Sequence, residues 1–269
     1  MNLSAKTQSS LLQEVMQIAV AAGKQVMEIY SREDFETTLK KDNSPLTLAD
    51  TLSHQWIVER LGRLSPDWPI LTEESNTVNF RVRQGWETFW LVDPLDGTKE
   101  FIKRNGEFTI NIALIKGKEP VLGVVVAPAK EAIYYAEKGK GAFVIEGKSD
   151  PKKIRVNSHS SGVLKVVSSR SHSSPEEAIF LNKIGPLECI HVGSSLKLCQ
   201  VAEGKAHLYP RFWPSMEWDT AAAHCVVVEA GGLVTDLSGA PLEYNKKSLL
   251  NPFFMVSSLP IEFWKQFIA

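Results

Sequence analysis

The chain has 269 residues, enough for one large domain or two of ordinary size. Lys and Arg number 30 against 31 Asp and Glu, a formal charge of −1, so no bulk attraction to nucleic acid or an anionic membrane is built in. Cys189, Cys199 and Cys225 follow no repeated or zinc-type spacing, which argues against a disulfide framework and for free, buried thiols.

The polar residues 4–10 lack the apolar stretch of a secretory signal, and no apolar run reaches membrane-spanning length. Leu11, Val15, Ile18, Ala22, Val26 and Ile29 step by three or four, which predicts a long amphipathic helix ending near Ser31. A short strand over 37–41 and a turn over 42–45 follow. Leu52, Trp56, Ile57 and Leu61 mark a second helix with Asp50 in its first turn. There Asp50 either complements the helix dipole or serves a site. Residues 69–72 predict a brief strand running into Glu73-Glu74, two adjacent carboxylates that are either solvated or supply one ligand.

Residues 90–101 read WLVDPLDGTKEF. The apolar run 89–92 predicts a buried strand that ends at Asp93-Pro94, because proline has no ladder donor to give. Asp93 and Asp96 then stand at a strand end, Gly97 permits a tight backbone, and a helix starting near Thr98 aims free amides at an anion. Mg²⁺ binds through a couple of carboxylates plus phosphate oxygens, so the stretch reads as a meeting place of metal and phosphate. The plainer alternative is an Asp-Pro turn capped by Asp96.

Residues 108–115, 121–127, 132–135 and 141–145 predict an antiparallel meander. The pattern changes between Asp150 and Gly162, which divides the chain into halves 1–155 and 156–269. Beyond it, strands over 163–167, 189–192, 206–209, 233–235 and 253–257 alternate with helices over 175–184, 194–202 and 219–230, an α/β pattern. Asp219 opens the last helix, where a capping role accounts for it in isolation, and Gly231-Gly232 stops it. The apolar Phe253-Phe254 and Phe263-Trp264 are expected to be core.

Taken together, Glu73, then DPLDGTKEF from Asp93, then WDTAAAHCVVVEAGG from Trp218, resemble the signatures of the inositol monophosphatase superfamily over essentially the full chain. Lys99-Glu100 stands where inositol monophosphatases typically carry Thr-Asn and is similar to the 3'(2'),5'-bisphosphate nucleotidases. SRSH from Ser169, GSSLK from Gly193, VAEGKAHLYPRF from Val201 and EWDTAA from Glu217 resemble the bacterial members of that group.

The resemblance implies an α/β (α+β) fold, a layered αβαβα sandwich with the metal site between its halves. It implies a Mg²⁺-dependent, lithium-sensitive phosphatase using two to three ions. The implied substrate is 3'-phosphoadenosine 5'-phosphate, a by-product of sulfate activation and sulfuryl transfer, which is converted to AMP; its 5'-phosphosulfate form is left open. A phosphatase of inositol monophosphate or fructose bisphosphate shares the metal site, and a non-catalytic phosphate- or metal-binding protein is the alternative of another class. The implied partner is a small nucleotide bisphosphate, not nucleic acid, for a monomer or homodimer without a transmembrane segment. The implied location is the cytoplasm, with peripheral attachment at the cytoplasmic face of the inner membrane left open.

Carried over residue by residue, the resemblance puts Glu73, Asp93 and the Leu95 carbonyl on a first metal. Asp93, Asp96 and Asp219 fall on a second, and a third lies near Glu73. Thr98 orients the attacking water with Asp50, for which Glu73 is the rival, and the Gly97 and Thr98 amides bind the scissile phosphate. Ser194, Ser195 and Lys197 suit the second phosphate, with Arg170, His172 and Arg211 as further candidates. For His172 a structural role weighs equally, Arg211 has Glu217 as a candidate partner, and Glu217 either contacts the nucleoside or is solvated. Trp213 and Ala223 stand where relatives often have glycine, and Trp213 is expected to line the nucleoside pocket.

Overall fold

The computed structural model describes residues 9–33, 37–39, 45–75, 78–158, 162–170 and 174–268. In chain order the first half runs α1 (Ser10–Tyr30), β1 (Thr38–Leu39), β2 (Pro45–Leu46), α2 (Leu48–Leu64), β3 (Ile70–Thr72), α3 (Phe80–Arg83), β4 (Thr88–Asp96), α4 (Thr98–Ile102), β5 (Thr109–Lys116), β6 (Glu119–Ala127), β7 (Ala132–Glu137), β8 (Gly141–Glu146) and β9 (Lys152–Ile154). The second half runs β10 (Leu164–Ser169), α5 (Pro175–Ile184), β11 (Leu187–Val192), α6 (Leu196–Ala202), β12 (Leu208–Arg211), α7 (Glu217–Glu229), β13 (Leu233–Asp236), β14 (Phe254–Ser257) and α8 (Ile261–Lys265).

Strands β3 to β9 form a seven-stranded sheet in sequence order, antiparallel except that β3 joins β4 in parallel. Its strands β4 and β5 are buried on both faces, so alternation there sorts core residues rather than core from surface. Trp90 and Val92 of β4, with Ile110, Ile112 and Leu114 of β5, pack with Val15, Ala22 and Val26 of α1 and Ile57 and Leu61 of α2. Phe89, Leu91, Ala113 and Ile115 point the other way, into a core shared with Ala221, Ala222, Val226 and Val227 of α7.

The second sheet has the order β11-β10-β12-β14-β13, with β11, β10 and β12 parallel. Val167, Tyr209 and Val256 face α7, whereas Val166, Leu208 and Met255 face Phe180 of α5 and Trp264 of α8. The layers are therefore helix, sheet, helix, sheet, helix, the sandwich that the resemblance implied. Because α7 lies between two sheets, it is apolar nearly all round and lacks the single stripe of a surface helix.

Two expectations change, and three short elements have no counterpart in the sequence reading. β4 does not end at Asp93-Pro94 but continues through a bulge to Asp96. α3, α8 and β9 are too short to leave a periodic trace in the sequence. Trp264 is fully buried and Phe254 nearly so, but Phe253 is exposed. The turn at 42–45 falls mostly outside the described residues.

The layers approach closely at Gly123 of β6, where an added Cβ would lie 2.2 Å from the Ala222 carbonyl oxygen and 2.9 Å from Cys225 Cβ. Gly123→Ala is expected to lower stability by about 1–3 kcal/mol in chemical denaturation, through overpacking between backbone atoms that cannot yield. Gly62→Ala, in α2 with nothing within 4 Å of the new methyl, is expected to raise it by about 0.4–1 kcal/mol. Equal effects at the two positions would count against the packing of α7 on β6.

Candidate active site

Regular strand alternation would send Asp93 and Asp96, three positions apart, to opposite faces of the sheet. The pairing with β5 prevents this. Asp93 faces Asn111 and Asp96 faces Thr109, so three steps on β4 meet two on β5. The extra residue is a bulge that returns Asp96 to the side of Asp93, and both line one cleft. Pro94 sits inside the bulge, where its missing donor costs no ladder bond. Its carbonyl accepts from Ser53 Oγ at 2.7 Å, and Asp93 Oδ1 accepts from the Leu95 amide at 3.0 Å. Gly97 follows with φ +89, and an added Cβ there would lie 3.1 Å from the Glu107 carbonyl. Glycine thus allows the chain to turn directly into α4, whose Thr98 joins the wall of the cleft.

Glu73 lies one position past β3 and is tied to β4 through its amide, which donates to the Val92 carbonyl at 3.2 Å. Asp219 comes from the first turn of α7, where its Oδ2 accepts from the Met216 amide at 2.8 Å. Asp50 occupies the same place in α2. Its Oδ2 accepts from the Thr47 amide at 2.7 Å and the Thr47 hydroxyl at 2.6 Å, and its Oδ1 from the Thr98 hydroxyl at 3.2 Å. The capping reading and the site reading are therefore compatible for both aspartates, because a carboxylate has two oxygens to offer.

Carboxylate oxygens of Glu73, Asp93 and Asp219 all lie within 4.8 Å of one another. Burial, with Glu73, Asp96 and Asp219 nearby, pushes the Asp93 carboxyl well above the usual carboxylate range. Burial, then Asp96 and Glu73, pushes Asp219 up to about 8. Asp96 stands outside the triplet, held at about 6 by burial against the pull of Lys197. Burial lowers Lys197 to about 8. A set of clustered carboxylate oxygens that resists ionising is a good fit to a hard divalent cation such as Mg²⁺, which takes the place of the protons.

The cleft has a volume of about 260 Å³, and Leu95, Gly97, Ser194, Lys197 and Arg211 join the acids in lining it. Ser195 opens on an adjoining recess, with its hydroxyl 2.7 Å from Asn111 Oδ1 and 2.8 Å from Thr109 Oγ1. Lys197 Nζ lies 5.8 Å from the centre of the Tyr209 ring. Arg211 donates to the Pro214 carbonyl at 3.0 Å, not to Glu217.

Other residues singled out in the sequence are placed elsewhere. Arg170 pairs with Glu107 through two bonds of 2.8 and 3.0 Å, and Glu107 also accepts from the Gly193 amide at 2.9 Å. Arg170 therefore braces the turn before Ser194 and does not line the cleft. Glu217 is neither solvated nor in the cleft. It is fully buried and accepts from Lys246 Nζ at 2.7 Å and from the Asn245 and Lys246 amides at 2.7 and 2.9 Å. Trp213 is 42 % exposed and is not among the residues that line the cleft or the recess. His172 lies outside the described residues.

Sequence reasoning missed Ser53 and His54, although their spacing of three and four from Asp50 puts them on its helix face. Ser53 holds Pro94, and His54 Nδ1 lies 2.9 Å from the Thr72 hydroxyl just before Glu73.

The raised carboxyls fix the sign of a pH effect. Asp96 and Asp219 titrate near 6 and 8 when folded, against an ordinary value of 3.8, so the folded chain binds more protons than the unfolded one between those limits. The associated stability is fully present below pH 3.8 and is lost as pH rises through about 6 and 8. The melting temperature in chelator is expected to fall from about pH 5 to 8.5, and Mg²⁺ to raise it more at the upper end. A Mg²⁺ increment that is larger at the acid end would contradict this electrostatic reading.

A model of the inositol monophosphatase family matches residues 7–254. The 3'(2'),5'-bisphosphate nucleotidase CysQ of Salmonella typhimurium is 48 % identical over 249 residues, covering 92 % of this chain and 99 % of its own. The CysQ of Escherichia coli is 47 % identical with the same coverage. The crystal structure of CysQ from Bacteroides thetaiotaomicron superposes with a TM-score of 0.82 at 42 % identity, over 91 % of this chain and 96 % of that one. A Thermotoga maritima IMPase superposes with a TM-score of 0.77 at 24 % identity over 96 % and 97 %, a likeness of fold alone. The bulged strand, the Asp50 helix and the Asp219 helix all fall within the matched span, and the chain belongs to the inositol monophosphatase family.

Proposed function

We propose that this chain is a Mg²⁺-dependent 3'(2'),5'-bisphosphate nucleotidase that removes the 3'-phosphate of 3'-phosphoadenosine 5'-phosphate and leaves AMP. The observation that carries the reading is the Glu73, Asp93 and Asp219 triplet beside the Asp50–Thr98 pair, in a chain 47–48 % identical to two enzymes of that name. Glu73, Asp93 and the Leu95 carbonyl would hold one ion, and Asp93, Asp96 and Asp219 a second. Such ions neutralise phosphate charge and acidify water.

The residues of the chain do the positioning. Thr98 Oγ1 lies 3.2 Å from Asp50 Oδ1 and 3.3 Å from the Leu95 carbonyl, so its proton is directed inward and a lone pair is left for a water in the cleft. The water proton passes to Thr98 Oγ1 as the threonine proton passes to Asp50 Oδ1. The water oxygen bonds to phosphorus, the bond from phosphorus to the ribose 3'-oxygen breaks, and that oxygen takes a proton from solvent. Asp50 is 1 % exposed, and its two bonds from Thr47 keep the acceptor oxygen in register. Gly97 and Thr98 flank the scissile phosphate at the start of α4, while Ser194, Ser195, Lys197 and Arg211 provide hydroxyls and cations for the second phosphate.

The two halves 1–155 and 156–269 act as one catalytic unit in this reading, since Asp219 comes from the second and the other acids from the first. No helix among the described residues is long and apolar enough to cross a membrane.

Phosphate release with Mg²⁺ is expected to be fastest from 3'-phosphoadenosine 5'-phosphate, slower from inositol 1-phosphate and fructose 1,6-bisphosphate, and abolished by chelator. A sugar phosphate outrunning the nucleotide would leave the metal reading standing and remove the substrate. Asp93→Asn is expected to lower kcat by about a hundredfold or more. Thr98→Val is expected to lower kcat about a hundredfold with KM nearly unchanged. A Thr98→Val loss confined to KM would rule out the proton path through Asp50.

A further inference from the structure

Strand β5 reads TINIALIK, and all of its residues but the last are buried. Two of the buried ones are polar, Thr109 and Asn111, at 0 % and 1 % exposed. They stand opposite the two aspartates of β4, Asn111 paired with Asp93 and Thr109 with Asp96. Opposed residues of an antiparallel pair share a face. All four side chains therefore leave the sheet on the side where Ala113 and Ile115 meet α6 and α7.

Burying polar groups in such a strand is unfavourable unless their bonds are made. Both residues make them with one atom. The Ser195 hydroxyl lies 2.8 Å from Thr109 Oγ1 and 2.7 Å from Asn111 Oδ1. Ser195 is 1 % exposed and is the residue from which α6 starts. Asn111 Nδ2 has no partner among the described residues, an unmade bond that a leucine of similar size would avoid. Stability alone does not account for this polar pair. Directional bonds fix the start of α6 in a way that apolar contacts do not.

The start of α6 bears on Asp96. Burial raises the Asp96 carboxyl, and Glu73 and Glu100 add to that, while Lys197 and the Ser195 amide act the other way. The groups that favour its charged form thus come from one stretch, residues 195–197. Asp96 is also the acid that stands outside the close triplet of Glu73, Asp93 and Asp219.

We propose that Thr109 and Asn111 are positioning residues for the second cation: by fastening Ser195 to β5 they hold residues 195–197 against Asp96 and keep that acid on the side of Asp93 and Asp219. The proposal rests on the reading of Asp96 as a Mg²⁺ ligand. Neither Thr109 nor Asn111 lines the cleft or the recess, so the effect of changing them is not that of a lost substrate contact.

The test follows the melting temperature of the full-length protein, stripped with chelator, as Mg²⁺ is added without substrate. Thr109→Val, which removes the hydroxyl at nearly constant volume, and Asn111→Leu are each expected to need about tenfold more Mg²⁺ for half of the rise. Thr109→Ser keeps the hydroxyl and is expected to restore the original midpoint. Ser257→Ala is the control, because it removes an equally buried hydroxyl from β14, outside the cleft and the recess. It is expected to lower the melting temperature and leave the Mg²⁺ midpoint where it was. An unchanged midpoint in Thr109→Val overturns the proposal, even if Asn111→Leu does not fold. A shift of the same size in Ser257→Ala, or one that Thr109→Ser does not restore, overturns it as well. Because no substrate is present, a protein that shows these shifts but releases no phosphate from the nucleotide would sink the nucleotidase reading and leave this proposal standing.

Discussion

Glu73, Asp93, Asp96 and Asp219 repel one another in a place with little water, and the rest of the site is arranged around that repulsion. Each of the three aspartates has its carboxyl raised by burial first and by a neighbouring acid after it. Clustered carboxylates of this kind are unfavourable in the folded chain without a counter-charge. A divalent cation supplies it from outside, and Lys197 supplies part of it from within, next to Asp96. The metal dependence of the family and the cost of holding these acids together are two aspects of one electrostatic fact.

Holding repelling groups at short range needs stiff supports, and the fold provides them from several directions. The first two turns of α2 tie the acid-bearing segments together, with Asp50 bonded to Thr98, Ser53 to the Pro94 carbonyl and His54 to Thr72. α7 brings Asp219 on a helix clamped between two sheets, at a spacing so tight that only glycine fits at position 123. A helix with solvent on one side would have latitude to retreat from the other acids. This one has a sheet behind it.

Two polar clusters away from the acids do the same for the flanks. Glu107 joins Arg170 to the Gly193 amide and so sets the turn that presents Ser194 and Lys197. Glu217, the first residue of α7, collects two amides and Lys246. Glu217 belongs to a motif that reads as substrate-binding in the sequence, yet its oxygens are spent on the protein. A charge in a signature stretch can serve the geometry of the site without touching what the site binds.

Much of this protein was legible before any coordinates. The steps of three and four in α1 and α2 report one buried stripe each, and the Asp93 to Phe101 and Trp218 to Gly232 stretches carry enough residue-specific detail to identify the family. Asp50, Asp96, Thr98 and Asp219 were readable because each sits at a strand end or a helix start, where local sequence governs the backbone, and Asp93 because Pro94 follows it. The side to which Asp96 points was not readable, since that depends on a bulge defined by the register against β5. Nor were the true partners of Arg170, Arg211 and Glu217, because a side chain finds its partner across a sequence separation that no motif spans. Trp213 reads as a stacking residue by type, and its partial exposure depends on how the segment between β12 and α7 is laid over the surface. Local geometry and chemistry belong to the sequence, whereas the pairing of distant polar groups belongs to the packed structure, where burial decides which charges must be satisfied and by whom.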